Sequence, residues 1–109
     1  MLKLEIKLDD NKIIADKKYD LDSIYRVLDE GFARQGIRRT QDQDGTLCYI
    51  GTSQKYGSFG GIITSLHEKS WFMDYVVKWL WYNSDNGEDE DDFAIDDVLY
   101  HYTKKESVT

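Results

Sequence analysis

Residues 2–8, Leu-Lys-Leu-Glu-Ile-Lys-Leu, alternate apolar and charged without a break. Leu2, Leu4, Ile6 and Leu8 fall on one face and Lys3, Glu5 and Lys7 on the other, as in a strand with one wet side. Asp9-Asp10-Asn11 supplies a turn, and Lys12–Ala15, with the β-branched pair Ile13-Ile14, is expected to return as the second strand of a hairpin. The period then changes. Asp20 stands as an N-cap before Leu21, Ile24, Tyr25, Leu28 and Phe32 at helical spacing. Asp22 suits the first turn, Glu30 precedes Arg34 by four, and Gly36 marks a stop, so the pattern predicts a helix over 21–35. Gly31 in its interior costs about 1 kcal/mol against Ala.

Ile37–Thr40 and Thr46–Gly51 read as a second hairpin around Asp44-Gly45. Residues 52–58 read as a polar loop, after which Phe59, Ile62, Ile63 and Leu66 form a second helical stripe. Trp71–Tyr82 fits two periods. Its paired valines and crowded aromatics suit a pleated surface, so a strand is expected at 75–82. Being apolar on both faces, that strand belongs inside the sheet. An acidic loop at 83–92 follows. Ile95, Val98, Leu99 and Tyr102 make a last helical stripe, with Lys104 and Lys105 at its negative end and a short flexible tail at 105–109. The chain has no proline, so its turns fall to Gly, Asn and Asp. The expected order is ββαββαβα, an α+β single domain with a mostly antiparallel sheet and helices on one face.

A chain of 109 residues is one domain's worth, and its 14% aromatic content argues against disorder. No run approaches the roughly 18 apolar residues of a membrane span. The alternating N-terminus is unlike a signal peptide. Together these point to a cytoplasmic protein without a membrane partner.

Charge changes the picture most. Twenty-one acids against fourteen bases give a formal net charge of −7. Eight of the acids fall between residues 85 and 97: Asp85, Glu88, Asp89, Glu90, Asp91, Asp92, Asp96 and Asp97. The other 96 residues carry thirteen acids and fourteen bases, a net of +1. One segment therefore holds the whole imbalance, which suits a basic partner. The plain alternative is a solvated loop, with Asp91 and Asp92 capping the helix that follows.

Candidate chemistry is sparse. Asp42-Gln43-Asp44-Gly45 starts like a calcium loop, but the register puts Thr40 and Gly51 where carboxylates are needed. Loose divalent binding by the acidic segment is a second use for the same carboxylates. Cys48 is the sole cysteine, so no intrachain disulfide forms, and a strand thiol reads first as a small buried hydrophobe. A Cys48 pair with His67 or His101 lacks any nucleophile signature around it. Gly57-Ser58-Phe59-Gly60-Gly61 opens a helical stripe and could cradle a phosphate, yet lacks the Lys-Ser/Thr of a phosphate-binding loop. Arg34, Arg38, Arg39, Lys55 and Tyr56 could form a basic corner, but a sequence pI near 4.7 opposes attraction to nucleic acid. Trp71, Trp79 and Trp81 read as core, and whichever is exposed becomes an interface anchor, Trp81 first.

Ser70-Trp71-Phe72-Met73-Asp74, Trp79-Leu80-Trp81-Tyr82-Asn83-Ser84-Asp85, Asp91-Asp92-Phe93 and His101-Tyr102 resemble a group of small acidic bacterial proteins, some of them accessory proteins of mobile elements. The resemblance covers the C-terminal half and implies no activity. The leading expectation is a non-enzymatic protein-binding module without a cofactor. Its partner-binding residues are Asp85, Glu88, Asp89, Glu90, Asp91, Asp92, Asp96, Asp97 and Trp81. The sharper form is an inhibitor that imitates nucleic acid and so occupies a nucleic-acid-binding enzyme. Duplex DNA presents one charge per roughly 1.7 Å of axis. Thirteen extended residues span at most about 45 Å, enough to match a short run of phosphates. The alternative is a small enzyme or divalent-metal protein using the same acids.

Overall fold

The alternating strand at the start of the chain sits at the centre of the sheet. In the computed structural model, which describes residues 1–40, 44–83 and 94–108, β1 (Leu2–Leu8) pairs antiparallel with two neighbours. On one side lies β3 (Leu47–Gly51), itself paired with the short β2 (Arg38–Arg39). On the other lies β4 (Val76–Asn83), paired with β5 (Ala94–Asp97). The order is β2-β3-β1-β4-β5, antiparallel throughout. With helices between β1 and β2 and between β3 and β4, the first four strands have the connectivity of a split βαβ sandwich.

Because both edges of β1 are taken, no place remains for the expected return strand at 12–15. Those residues instead form the helix α1 (Asp10–Asp16), a correction to the sequence reading. Asp9 caps it, its carboxylate accepting the Lys12 N–H at 3.1 Å. Ile13 is buried and Ile14 exposed, as a helix face requires. The next helix, α2 (Leu21–Arg34), follows the sequence expectation closely, from the Asp20 cap on the Ser23 N–H to Gly36 at positive φ just past its end. Asp44 and Gly45 both take positive φ, the left-handed conformation that Asp and Gly supply in turns.

A 3₁₀ turn at Ser53–Lys55 runs directly into α3 (Tyr56–His67), so the expected loop over 52–58 is mostly helical. A short α4 (Ser70–Met73) precedes β4. The stripe from Ile95, expected to be helical throughout, begins as a strand. Residues 95–97 belong to β5, and α5 spans only Val98–Thr103 with Asp97, not Asp91 or Asp92, as its N-cap. The stretch expected as a free tail is tied to the sheet. The Val108 N–H donates to the Val77 carbonyl, and the Trp79 N–H donates to Ser107 Oγ.

Every helix among the described residues reaches the same face of the sheet. Leu2, Leu4, Ile6 and Leu8 are buried there with Leu47, Tyr49 and Trp79. Phe32 of α2 stacks on Tyr49 with centroids 3.7 Å apart. Phe59 of α3 packs on Trp81, while Phe72 of α4 and Tyr102 of α5 both pack on Trp79. Ile13 of α1 joins the same cluster. A register shift between Lys7 and Leu8 lets Val76 as well as Trp79 point inward. The opposite face carries Lys3, Glu5, Lys7, Cys48 and Lys78, where Lys78 pairs with Glu5 at 3.6 Å.

Gly31 faces open space, since a Cβ built there meets nothing within 4 Å, and its φ is not positive. Gly31→Ala is therefore expected to stabilise the fold by about 0.5–1 kcal/mol. Urea melts should show a higher midpoint at unchanged slope, and a lower midpoint would mean that the α2 surface is more crowded than described.

Candidate functional site

The nine residues expected to bind a partner divide into two groups. Asp85, Glu88, Asp89, Glu90, Asp91 and Asp92 lie outside the described residues. Trp81, Asp96 and Asp97 are described, together with the frame around the acidic run. Asn83 and Ala94, which bracket residues 84–93, are cross-strand partners at the end of the β4–β5 pair.

Register places the two described acids differently, because successive strand residues face opposite ways. Asp96 is the direct partner of Trp81, so the two side chains share the helix-bearing face. Asp96 is exposed and has no partner among the described residues, and Trp81 is half-buried. Phe59 lies 5.0 Å from the Trp81 ring, and Tyr56 meets it edge-on at 6.2 Å while remaining 60% exposed. Trp81 and Asp96 line a cleft of about 550 Å³ between α3 and α5. Ile63 forms its α3 wall, and Tyr100, His101, Tyr102 and Lys104 form its α5 side. Lys104 is turned onto the Tyr100 ring, its Nζ 5.5 Å from the centroid.

Asp97 has a structural role. Its carboxylate accepts the Tyr100 N–H at 3.1 Å, the Ser107 N–H at 2.8 Å and the Ser107 hydroxyl at 2.6 Å. Burial by itself would raise its pKa, but the hydrogen bonds from Ser107, Tyr100 and Leu99 outweigh it and hold the group below its ordinary value. Asp97 is thus spent on capping α5 and holding residues 107–108, and is removed from the binding set. On the other face, burial pushes the Tyr82 hydroxyl up, reinforced by its hydrogen bond to Glu5, while Lys3 Nζ sits 4.2 Å over the Tyr82 ring.

The other constellations are dispersed. Cys48 is half-buried, not buried, and lies beside Glu5 on the helix-free face. His67 stacks on Tyr102 at 3.8 Å on the helix side, and His101 lines the cleft there, so thiol and imidazoles are separated by the sheet. Gly57 lies in the first turn of α3 and Gly60 and Gly61 lie further in, where the helix takes up their N–H groups, so the glycines form no loop ahead of the helix. Of the basic corner, Arg39 pairs with Asp29 at 3.1 Å, Arg38 and Lys55 line a different cleft, Arg34 lines a third, and Tyr56 faces Trp81. The calcium-like segment at 42–45 lies partly outside the described residues. Among the described residues no three His, Cys, Asp or Glu side chains converge to hold a metal, and no helix is long and apolar enough to cross a membrane.

Sequence reasoning missed Tyr56, Ile63 and Tyr100 as neighbours of Trp81, because only the β4–β5 register and the α3–α5 placement bring them together. It also missed Ser107, a polar residue in a stretch with no periodicity. In comparisons with protein-family models, curated proteins and solved structures, none matches this chain.

Proposed function

We propose that this protein is a non-enzymatic binding module that engages a basic protein surface through its acidic segment. The observation that carries the reading is the pairing of Asn83 with Ala94. In sequence these two residues bracket a run with six acids, and the Trp81–Asp96 pair lies two positions from them along β4 and β5. An aromatic anchor next to concentrated charge is the arrangement that gives an interface both affinity and steering. In its sharper form the partner is a nucleic-acid-binding enzyme, and the acids stand in for phosphates.

The test is capture of partners from the native host by the intact protein, followed by calorimetry. Glu88→Gln, Asp89→Asn, Glu90→Gln and Asp91→Asn are introduced together. All four lie outside the described residues, and the melting temperature is expected to hold. Affinity for a captured partner should fall at least tenfold, and duplex DNA should compete if the partner is a nucleic-acid-binding enzyme. Equal affinity of both proteins at low and high salt would remove the acidic segment from the interface.

A further inference from the structure

The cleft between α3 and α5 goes further than a generic acidic surface and specifies what it would hold. Three features converge there. Trp81, half-buried, presents an indole to the cleft, and indole has the strongest ring quadrupole for attracting a cation. Asp96, the cross-strand partner of Trp81 on the same face, is exposed and has no partner among the described residues. Tyr100, 47% exposed, lines the cleft with a second aromatic ring, and Tyr56, 60% exposed, meets Trp81 edge-on. A cation is already held at the rim in this way, since Lys104 Nζ lies 5.5 Å from the Tyr100 centroid. An aromatic wall with one free carboxylate and an apolar floor at Ile63 disfavours anions and accepts a flat, weakly hydrated cation on an apolar stem.

We infer that the Trp81–Asp96 cleft is the seat for an arginine side chain of the basic partner, its guanidinium stacked on the indole and hydrogen-bonded to the Asp96 carboxylate. Arginine fits better than lysine because a planar guanidinium can stack and present two parallel N–H groups to one carboxylate, whereas an ammonium is compact and strongly hydrated. Lys104 bounds the seat and sets its direction, because an incoming cation is repelled from the Tyr100 side and settles against Trp81 and Asp96. This inference rests on the proposed binding of a basic partner and adds to it a residue-level anchor.

The probes are nona-arginine and nona-lysine peptides titrated into the intact protein, with the Trp81 indole N–H followed by nuclear magnetic resonance. Nona-arginine should bind more tightly than nona-lysine by about three- to tenfold and shift the Trp81 signal, the size expected of one partly desolvated cation–π contact. Asp96→Asn should weaken nona-arginine by about five- to tenfold, more than Asp22→Asn on the exposed side of α2. Trp81→Phe keeps an aromatic ring in the packing against Phe59 and should close most of the gap between the two peptides. If both peptides bind equally and Asp96→Asn costs no more than Asp22→Asn, the arginine seat is wrong while the acidic-segment reading stands. If neither peptide binds at low salt, both fail.

Discussion

Trp79→Ala should remove about 3–5 kcal/mol of folding stability, the range for truncating a large buried aromatic. Trp79 is fully buried, and its ring is shared by Phe72 of α4 and Tyr102 of α5, at 4.9 and 5.6 Å. It therefore joins the sheet to two helices that are distant in sequence. A domain of this size has about 5–15 kcal/mol in total, so the variant should be close to unfolded at room temperature. Leu4→Ala, on the central strand and fully buried, should cost about 2–5 kcal/mol, and Leu28→Ala on the facing helix the same. The Trp79 indole N–H has no hydrogen-bond partner among the described residues. Trp79→Phe removes that donor and keeps a ring, so it should cost much less than alanine. Urea melts check all four, and losses below about 1 kcal/mol at Trp79 and Leu4 would place the core on the wrong face of the sheet.

The second large effect is expected at Asp97. Replacing it with alanine strands the Tyr100 and Ser107 N–H groups and frees Ser107, whose hydroxyl also accepts the Trp79 N–H. Loss of an N-cap together with charged hydrogen bonds should cost about 2–4 kcal/mol. Asp97→Asn keeps an acceptor for the cap and should cost less. The pH dependence has a defined sign. A carboxylate held below its ordinary 3.8 contributes its stability above that value and loses it as pH falls through the lower folded pKa. Wild type should thus lose part of its stability as pH falls below about 4, by a step that Asp97→Ala lacks. Hydrogen exchange at the Val108 amide, bonded to Val77, should rise in the variant first. Unchanged stability and unchanged Val108 exchange would show that residues 107–108 are not held through Asp97.

Much of this architecture is written in local pattern. The alternation of β1, the Asp20 cap and Gly36 stop of α2, and the Asp44-Gly45 turn each specify their element from a few residues, and the structure agrees with them. The misreadings arose where tertiary context overrode that pattern. Ile13-Ile14 looks like strand, but β3 and β4 occupy both edges of β1, and the Asp9 cap makes a helix the available alternative. Ile95 continues the apolar spacing of α5, yet pairing with Tyr82 holds it in β5 and moves the helix start to Val98. The concentration of acids was legible by counting. The union of Trp81 with Asp96 was not, because it depends on the β4–β5 register, and Asp97 could not be separated from the other acids until Ser107 was placed beside it.

The concentrated charge of residues 85–97 should steer a basic partner onto the aromatic cleft. The association rate constant of the captured partner, measured by stopped-flow across ionic strength, tests it most directly. Exposed charges act over about 30 Å at 0.01 M salt and about 8 Å at 0.15 M. The rate should fall by about tenfold or more across that interval for wild type, and by far less for the protein neutralised at Glu88, Asp89, Glu90 and Asp91. A rate that does not change with salt, or one that falls equally in both proteins, would rule out steering by the acidic segment.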